Sequence, residues 1–338
     1  MKSDIFPLGK LPMATLARLL AAHAGHDERV VSGMGIGQDA TVIDMGDRYL
    51  VAKSDPVTFA TEQIGWYAVN VNANDLACCG AQPRWFLCTV LLPEAATDQR
   101  LVDSLFDQIS TACQSVGASL AGGHTEVTHG LKRPIVVGHM LGEVAKDKLV
   151  TTAGAKVGDV ILVTKAIAIE GTALIAREKH KDLLSHGFDE AFLTEARNVL
   201  FDPGISVLRE ASLAVQAAPI HAMHDPTEGG IVTGLHELAR AANLGMMIDA
   251  DEIPILPACE RLCRQYHLHP LGLIASGSLL ITTAPHSAQA VVNALATAGI
   301  ACTPIGYMLP PQEGCKMRQG GIRRDLPIHE SDEIIKIL

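Results

Sequence analysis

Two different spacings of apolar residues follow one another in the first half of the chain. Residues 98–116 repeat apolar positions every four residues, which predicts an amphipathic helix, and a second helix is predicted between Gly65 and Gly80. The runs DATVIDM and RYLVAKSD are β-prone, and Gly46-Asp47 between them predicts a hairpin. ASLAGGHTE predicts a short strand ending in a glycine turn, and RPIVVGHMLGEV another strand. The order is therefore two strands, two helices and two strands around one sheet.

A segment rich in small residues and glycine, 151–160, interrupts this pattern. Beyond it, strands are predicted at DVILVTK, GMMIDA, SGSLLITT and ACTPIGYM. Helices are predicted at EGTALIAREK, within 179–202, from PGISVLREASLAV, after HDPTEGG and near 286–298. Because strands alternate with helices again, the second half predicts another α/β layer. The domains are expected at 1–152 and 153–338.

Composition narrows the class of protein. The 338 residues are 48% hydrophobic and 19% charged, and their net charge of −10 argues against a nucleic-acid partner, which needs clustered Lys and Arg. No apolar run reaches the ~20 residues that span a bilayer, and the N-terminus is a poor export signal. The eight cysteines include no CxxC pair, which favours reduced, mostly buried thiols. We expect a cytoplasmic protein without a membrane partner.

Four aspartates stand at predicted element ends beside small residues: Asp39, Asp55, Asp75 and Asp225. Mg²⁺ prefers hard oxygen ligands and keeps substrate phosphates among them, so carboxylates that converge from separate elements suit a nucleotide-bound Mg²⁺. The alternative is that each aspartate only caps a helix or closes a turn, where Asp is intrinsically favoured.

Two glycine-rich stretches are candidates for phosphate binding. Thr227, Gly229 and Gly230 precede a predicted helix whose N-terminus offers unpaired N–H groups, and glycine lets an anion approach closely. Gly122 and Gly123 form a second candidate cradle. The alternative is that both are tight turns, because neither matches the phosphate loop or the dinucleotide fingerprint.

Single basic residues lie near these stretches. Lys10 is flanked by glycine and could reach phosphate, although a solvated lysine is the simpler account. His124, His221 and His224 lie beside the candidate turns. Histidine can shuttle protons near neutrality, but such residues are more often structural, so both interpretations stay open.

Seven motifs occur in the order found in the aminoimidazole ribonucleotide (AIR) synthase superfamily. They are GIGQDATVID, SDPVTF, NANDLACCGA, AGGHTEV, GDVILVTKAIAIEGTALIA, HDPTEGGI and SGSLLIT. The chain resembles this superfamily from about residue 8 to about residue 307, and most resembles its hydrogenase-maturation branch, HypE, and AIR-synthase-related proteins.

The resemblance implies a two-domain α+β fold of the PurM type. An N-terminal α/β domain would build a dimeric β-barrel with its twin, and a C-terminal α/β sandwich domain would close over a cleft. Members bind ATP and Mg²⁺ between the domains and use the γ-phosphate to activate or phosphorylate an oxygen, which needs mainly positioning and charge neutralisation.

The resemblance also implies roles for individual residues. Asp39, Asp55, Asp75 and Asp225 would hold the metal, and Asp225 and His124 are the catalytic candidates. The residues implied in nucleotide binding are Lys10, Gly37, Asp39, Asp55, Asn74, Asp75, Gly122, Gly123, Thr227, Gly229 and Gly230.

The chain departs from the family pattern at three places. Gln38 replaces the first of two acids in the opening motif, which puts a neutral amide beside Asp39, and His124 stands where some members have Asp. The HypE branch ends in Pro-Arg-Ile-Cys, whose cysteine carries a carbamoyl group to be dehydrated, whereas this chain ends HESDEIIKIL. Thiocarbamate chemistry therefore has no obvious carrier.

The leading hypothesis is an ATP- and Mg²⁺-dependent enzyme that activates an oxygen of a small substrate or of a maturation partner protein. The alternatives are a small-molecule kinase resembling thiamine-monophosphate kinase and a nucleotide-binding partner protein with little turnover. In each case a homodimer is expected.

Overall fold

The computed structural model describes residues 6, 8–23, 25–33, 35, 37–329 and 331–338. The contacts divide the chain into two compact units. The N-terminal unit contains 28–33 and 39–149, and the C-terminal unit contains 150–338 together with the described residues up to 27 and of 34–38. The two α/β units confirm the mixed α/β architecture.

Helices and strands alternate along most of the chain. The helices are α1 (Met13–His23), α2 (Ile64–Cys78), α3 (Gln99–Val116), α4 (Ile169–Glu178), α5 (His180–Ser185), α6 (Glu190–Asn198), α7 (Leu208–Ala217), α8 (Gly230–Ala242), α9 (Pro257–Tyr266) and α10 (Pro285–Thr297). The strands are β1 (Val30–Ser32), β2 (Thr41–Asp44), β3 (Arg48–Val57), β4 (Gln82–Pro93), β5 (Ser119–Thr128), β6 (Ile135–Ala145), β7 (Val160–Thr164), β8 (Ala222–His224), β9 (Gly245–Asp249), β10 (Leu280–Thr283), β11 (Cys302–Leu309), β12 (Cys315–Gln319) and β13 (Ile322–Asp325).

The N-terminal unit is one six-stranded sheet in the order β1-β2-β3-β6-β4-β5. Its pairs are antiparallel except β4 and β5, which run parallel. The hairpin predicted at Gly46 joins β2 to β3, as expected. Within the described chain this sheet is open, with β1 and β5 at its edges. The dimeric barrel therefore stays a prediction.

Two sequence predictions in this unit were wrong. β4 lies between α2 and α3, where the apolar pattern was assigned no element, and its residues alternate between buried and more exposed positions. The glycines of AGGHTE form no turn, because the whole segment belongs to β5. A Cβ on Gly123 would lie 1.9 Å from the carbonyl oxygen of Cys88 on β4, so close strand approach accounts for this glycine.

Helices α2 and α3 pack on each other beside the sheet, and α2 also contacts β3 and β6. In α2 every residue except Trp66 is buried. α3 begins at an aspartate cap, where Asp98 accepts the N–H of Leu101 at 2.8 Å, and ends at left-handed Gly117. Both predicted helices are confirmed. α2 is therefore buried on nearly all sides, and its polar residues are buried with it.

The C-terminal unit is a seven-stranded sheet in the order β13-β12-β9-β11-β7-β10-β8, in which only β12 and β9 pair in parallel. The predicted strands and the polar helices of 179–202 are confirmed. The helix predicted from Pro203 begins instead at Leu208, because Pro203 lies in an irregular turn. β8, α9, β12 and β13 were not predicted.

The expectation of reduced, mostly buried cysteines is confirmed. All eight cysteines lie among the described residues as reduced thiols, and six of them are buried. Among the described residues, no helix has the length and apolar character needed to cross a membrane.

Candidate functional site

Strand β3 presents two charged side chains to the same face of the N-terminal sheet. Lys53 and Asp55 are two residues apart on β3, and successive side chains of a strand point to opposite faces. Asp39 lies two residues before β2, whose register pairs Thr41 with Ala52. Buried Asp39 lies close enough to Lys53 for its negative charge to raise the pKa of that lysine. The hairpin thus supplies two of the predicted acids.

Helix α2 supplies the third acid. Asp75 is buried, and its Oδ1 lies 3.0 Å from Nζ of Lys53. The same Nζ lies 3.3 Å from Oδ2 of Asp55. We call Asp39, Asp55 and Asp75 the acidic cluster. Sequence reasoning predicted its three members but missed Lys53, whose signal was its place two residues before Asp55 in the β-prone run.

A buried amide fixes Asp55 against α2. The N–H of Asp55 donates to Oδ1 of Asn72 at 2.9 Å, and Nδ2 of Asn72 donates to the carbonyl oxygen of Asp55 at 3.2 Å. β6 leaves space for this amide at Gly138, the partner of Asp55 in the ladder, where a Cβ would lie 2.4 Å from Nδ2 of Asn72. Asn74, the predicted nucleotide residue, is also buried on α2. Asn72 was not predicted.

The acidic cluster holds Lys53 in its charged form. Burial lowers the pKa of Lys53, but the nearby carboxylates of Asp75, Asp55 and Asp39 raise it more, so that the pKa lies well above its ordinary value. Three carboxylates and one ammonium leave two net negative charges. Carboxylate oxygens are the hard ligands that Mg²⁺ prefers, so these residues fit a Mg²⁺-bound polyphosphate.

In the C-terminal unit, Lys10 contacts the segment around Thr227. Its N–H donates to Oε1 of Glu228 at 2.9 Å, and its Nζ donates to Oγ1 of Thr227 at 3.3 Å. Nζ also lies 3.6 Å from Oε1 of Glu237, whose Oε2 lies 3.1 Å from Nε2 of His224. Lys10 is half-exposed, and these contacts attach it to the predicted phosphate segment. Asp225, two residues before Thr227, is buried and follows β8 directly.

The helix start predicted to bind phosphate is already bonded within the chain. Gly229 and Gly230 have φ of 85° and 70°, a region that favours glycine, and open α8. The N–H of Gly229 donates to Oδ2 of Asp332 at 2.6 Å. Oδ1 of Asp332 accepts the N–H groups of Ile274 and Ile334. A carboxylate of the C-terminal segment thus takes a position expected for an anion.

Gly37 also lies in the C-terminal unit, against α8. It has φ of 76°, and a Cβ there would lie 2.4 Å from the carbonyl oxygen of Glu237. The close approach explains the glycine by packing, and its nucleotide role stays a prediction.

His124 is separated from the acidic cluster within the N-terminal sheet. The ladder aligns Asp55, Gly138, Cys88 and Gly123 across β3, β6, β4 and β5. Three strand spacings amount to about 14 Å. His124, the next residue on β5, is exposed, and its Nε2 lies 3.1 Å from Oε2 of Glu126. Within the N-terminal unit, the chain by itself does not bring Gly122, Gly123 and His124 to the acidic cluster.

Two acids buried in the C-terminal unit have raised pKa values. Burial raises the pKa of Glu170 on α4 to about 7, and the charges of Asp332 and Glu228 add to this. Burial likewise raises the pKa of Asp332 to about 6, although three backbone N–H groups oppose the shift. Asp332 contacts the start of α8 through the N–H of Gly229, and Glu170 lies close enough for the charges of Asp332 and Glu228 to affect its pKa.

Both units match one protein family. Residues 37–144 match the N-terminal domain of AIR synthase related proteins, and residues 156–314 match their C-terminal domain. The chain belongs to the AIR synthase related family. The family resemblance seen in the seven motifs is thereby confirmed.

Individual relatives differ in their named activities. The carbamoyl dehydratase HypE of Cupriavidus necator is 28% identical over 273 residues, covering 77% of this chain and 72% of that protein. The selenide, water dikinase of Geobacter metallireducens is 25% identical over 305 residues, covering 82% and 83%. A crystal structure of the hydrogenase maturation protein HypE in complex with ATP superposes with a TM-score of 0.70 at 22% identity, covering 83% of this chain and 85% of that one.

Proposed function

We propose that this chain is an ATP- and Mg²⁺-dependent enzyme that activates an oxygen of its substrate by phosphoryl transfer. The observation that supports this best is the acidic cluster, which brings Asp39, Asp55 and Asp75 together around Lys53 in a member of this family. A relative named as a dikinase agrees with phosphoryl transfer, and a relative named as a carbamoyl dehydratase agrees with activation of a substrate oxygen.

The acidic cluster would hold Mg²⁺, which when bound neutralises the charge of the phosphates. The rigid setting suits this role, because Asn72 fixes the backbone of Asp55 and α2 buries Asp75. A substrate oxygen would then form a bond to the γ-phosphorus while the bond to the β,γ-bridging oxygen breaks and ADP leaves. The protein supplies positioning and charge balance rather than a covalent intermediate.

The residues of the C-terminal unit keep the roles that the resemblance implies as part of this proposal. Asp225 would be a metal ligand or catalytic acid or base, and Lys10 and Thr227 would bind phosphate. Lys10 already donates to the Thr227 hydroxyl, so both groups are positioned together. Gly229 would contribute its N–H only if that group leaves Asp332.

The working form would be a homodimer built through β5. This ten-residue strand lies at the edge of the N-terminal sheet, and nine of its residues are exposed. Exposed edge strands readily pair with another chain. Leu120 and Val127 on β5 and Trp85 on the neighbouring β4 are among the exposed large apolar side chains. A second copy that adds its sheet here would bury them and give His124 an environment that it lacks in one chain.

A small-molecule kinase is the second candidate, favoured by the similarity to a selenide, water dikinase over 82% of the chain. The two candidates share ATP binding and differ in the fate of the phosphorylated oxygen. A kinase releases the phosphorylated acceptor as product, whereas a dehydratase type releases phosphate from it.

Calorimetric titration with a non-hydrolysable ATP analogue, with and without Mg²⁺, tests the proposal. We expect Mg²⁺-dependent binding that Asp39→Asn and Asp225→Asn abolish. Asp44→Asn is the control, since Asp44 lies on β2 and pairs with Lys146 outside the acidic cluster. Absence of binding by the folded wild type would overturn the proposed function. If the protein binds the analogue but forms no ADP from ATP with any acceptor, the nucleotide-binding partner protein is favoured instead.

A further inference from the structure

The cation at the centre of the acidic cluster belongs to the protein itself. Nζ of Lys53 lies within 3.3 Å of carboxylate oxygens of both Asp55 and Asp75, and only 20% of the Lys53 side chain is exposed. Such a position requires compensation, because removing an ammonium from water costs several kcal/mol unless close anions offset it. The cluster provides that compensation.

This arrangement changes the charge that the cluster offers to metal ions. Three carboxylates alone would attract a divalent cation strongly, since each contributes a full negative charge at short range. The ammonium removes one of these charges and occupies the space between two of the acids. At Gln38, the position beside Asp39, a neutral amide stands where the resemblance implies another acid. Both features lower the demand for divalent cations.

We propose that Lys53 substitutes for one divalent cation of the nucleotide site, so that each subunit takes a single Mg²⁺ and takes it together with the nucleotide. Lys53 keeps Asp39, Asp55 and Asp75 together before the nucleotide arrives and keeps a free metal ion from filling the site. The claim that one Mg²⁺ binds together with the nucleotide rests on the proposed function. The claim that Lys53 keeps free metal ions out rests on the position of Lys53 alone.

Titration with Mn²⁺ in the absence of nucleotide, followed by the electron paramagnetic resonance of free Mn²⁺, tests the role of Lys53 directly. We expect Lys53→Met to bind Mn²⁺ at least about tenfold more tightly than the wild type, because the positive charge between Asp55 and Asp75 is removed. Lys53→Arg keeps the charge and should stay near the wild type. Lys146→Met is the matched control, because it removes a lysine that pairs with Asp44 in the same unit. Equal Mn²⁺ affinity in Lys53→Met and wild type would overturn the inference.

Two further measurements keep the test decisive. Asp75→Asn combined with Lys53→Met restores the charge balance and should return Mn²⁺ affinity toward the wild-type level. If Lys53→Met does not fold, the number of Mn²⁺ ions bound by the wild type with the ATP analogue decides: one ion per subunit supports the inference, and two overturn it. Failure of the wild type to bind the analogue would overturn the proposed function, while the nucleotide-free titration still reports on Lys53.

Discussion

The side-chain amide of Asn72 forms two hydrogen bonds with the backbone of Asp55, one as acceptor from the N–H and one as donor to the carbonyl. This pair of contacts attaches helix α2 to strand β3 at the point where both supply an acid of the cluster. The amide also donates to the carbonyl oxygen of Ala68 at 2.8 Å, so its orientation is fixed from both sides. The geometry of the cluster thus depends on a residue that is not itself charged.

Asn72→Ala should weaken Mg²⁺-dependent binding of the ATP analogue at least about tenfold and lower stability by roughly 1–3 kcal/mol, because two part-buried backbone groups of Asp55 lose their partner. Asn70→Ala is the control, since Asn70 is buried on the same helix but donates to the carbonyl of Trp66. It should lower stability and leave the nucleotide affinity unchanged. Equal loss of affinity in both variants would contradict a specific role for Asn72.

Gly138→Ala should produce a similar defect from the opposite side. The added Cβ would lie 2.4 Å from Nδ2 of Asn72, so the amide must shift away from Asp55. We expect a loss of about 1–3 kcal/mol of stability and weaker nucleotide binding, measured by denaturant unfolding and calorimetry. Gly25→Ala should change neither, because no atom lies within 4 Å of its added Cβ.

Glu170→Gln should stabilise the protein at pH 8 relative to the wild type and have little effect at pH 4.5. The folded pKa of about 7 exceeds the ordinary value of 4.5, so the folded state binds the proton more tightly. Stability contributed by this proton is complete below pH 4.5 and is lost as the pH rises through about 7. The shift sets an upper figure of about 3 kcal/mol.

Thermal unfolding of wild type and variant between pH 4.5 and pH 8 measures this difference. Asp332 has a pKa raised in the same direction and remains in both proteins, so the difference reports Glu170 together with its coupling to Asp332. Glu260→Gln, at an exposed position on α9, is the control and should leave the profile unchanged. Parallel profiles for Glu170→Gln and wild type would show that Glu170 is not protonated in the folded state.

Val127→Lys should convert a homodimer to monomers, because the added charge on the exposed face of β5 opposes burial against a second copy. Light scattering after size-exclusion chromatography measures the mass. Ile322→Lys introduces the same charge at an exposed edge-strand position of the C-terminal unit and should leave the dimer intact. A wild-type protein that stays monomeric at high concentration would refute the dimer proposal.

The sequence by itself determined most of the elements and the family. The four-residue repeat of α3 and the hairpin at Gly46 are local patterns, and local patterns follow from backbone preference and the burial of one face. The motif order identified the family because seven short motifs occurred in register, although no single motif sufficed. Strand β4 was missed even though its apolar, aromatic-rich run was visible.

Only the tertiary structure decided which residues act together. Asp39, Asp55 and Asp75 were selected as single aspartates at element ends, but the fold of the N-terminal unit places their charges around one ammonium. The place of Lys53 on its strand did not reveal its partner, and Asn72 has no distinguishing sequence signal, because their roles arise from contacts over 22 and 17 positions in the chain. Gly229 was selected from the sequence as a phosphate-binding candidate, but the structure bonds its N–H to a carboxylate 103 residues away. The sequence determines which chemical groups the chain carries, whereas long-range packing determines which of these groups contact each other.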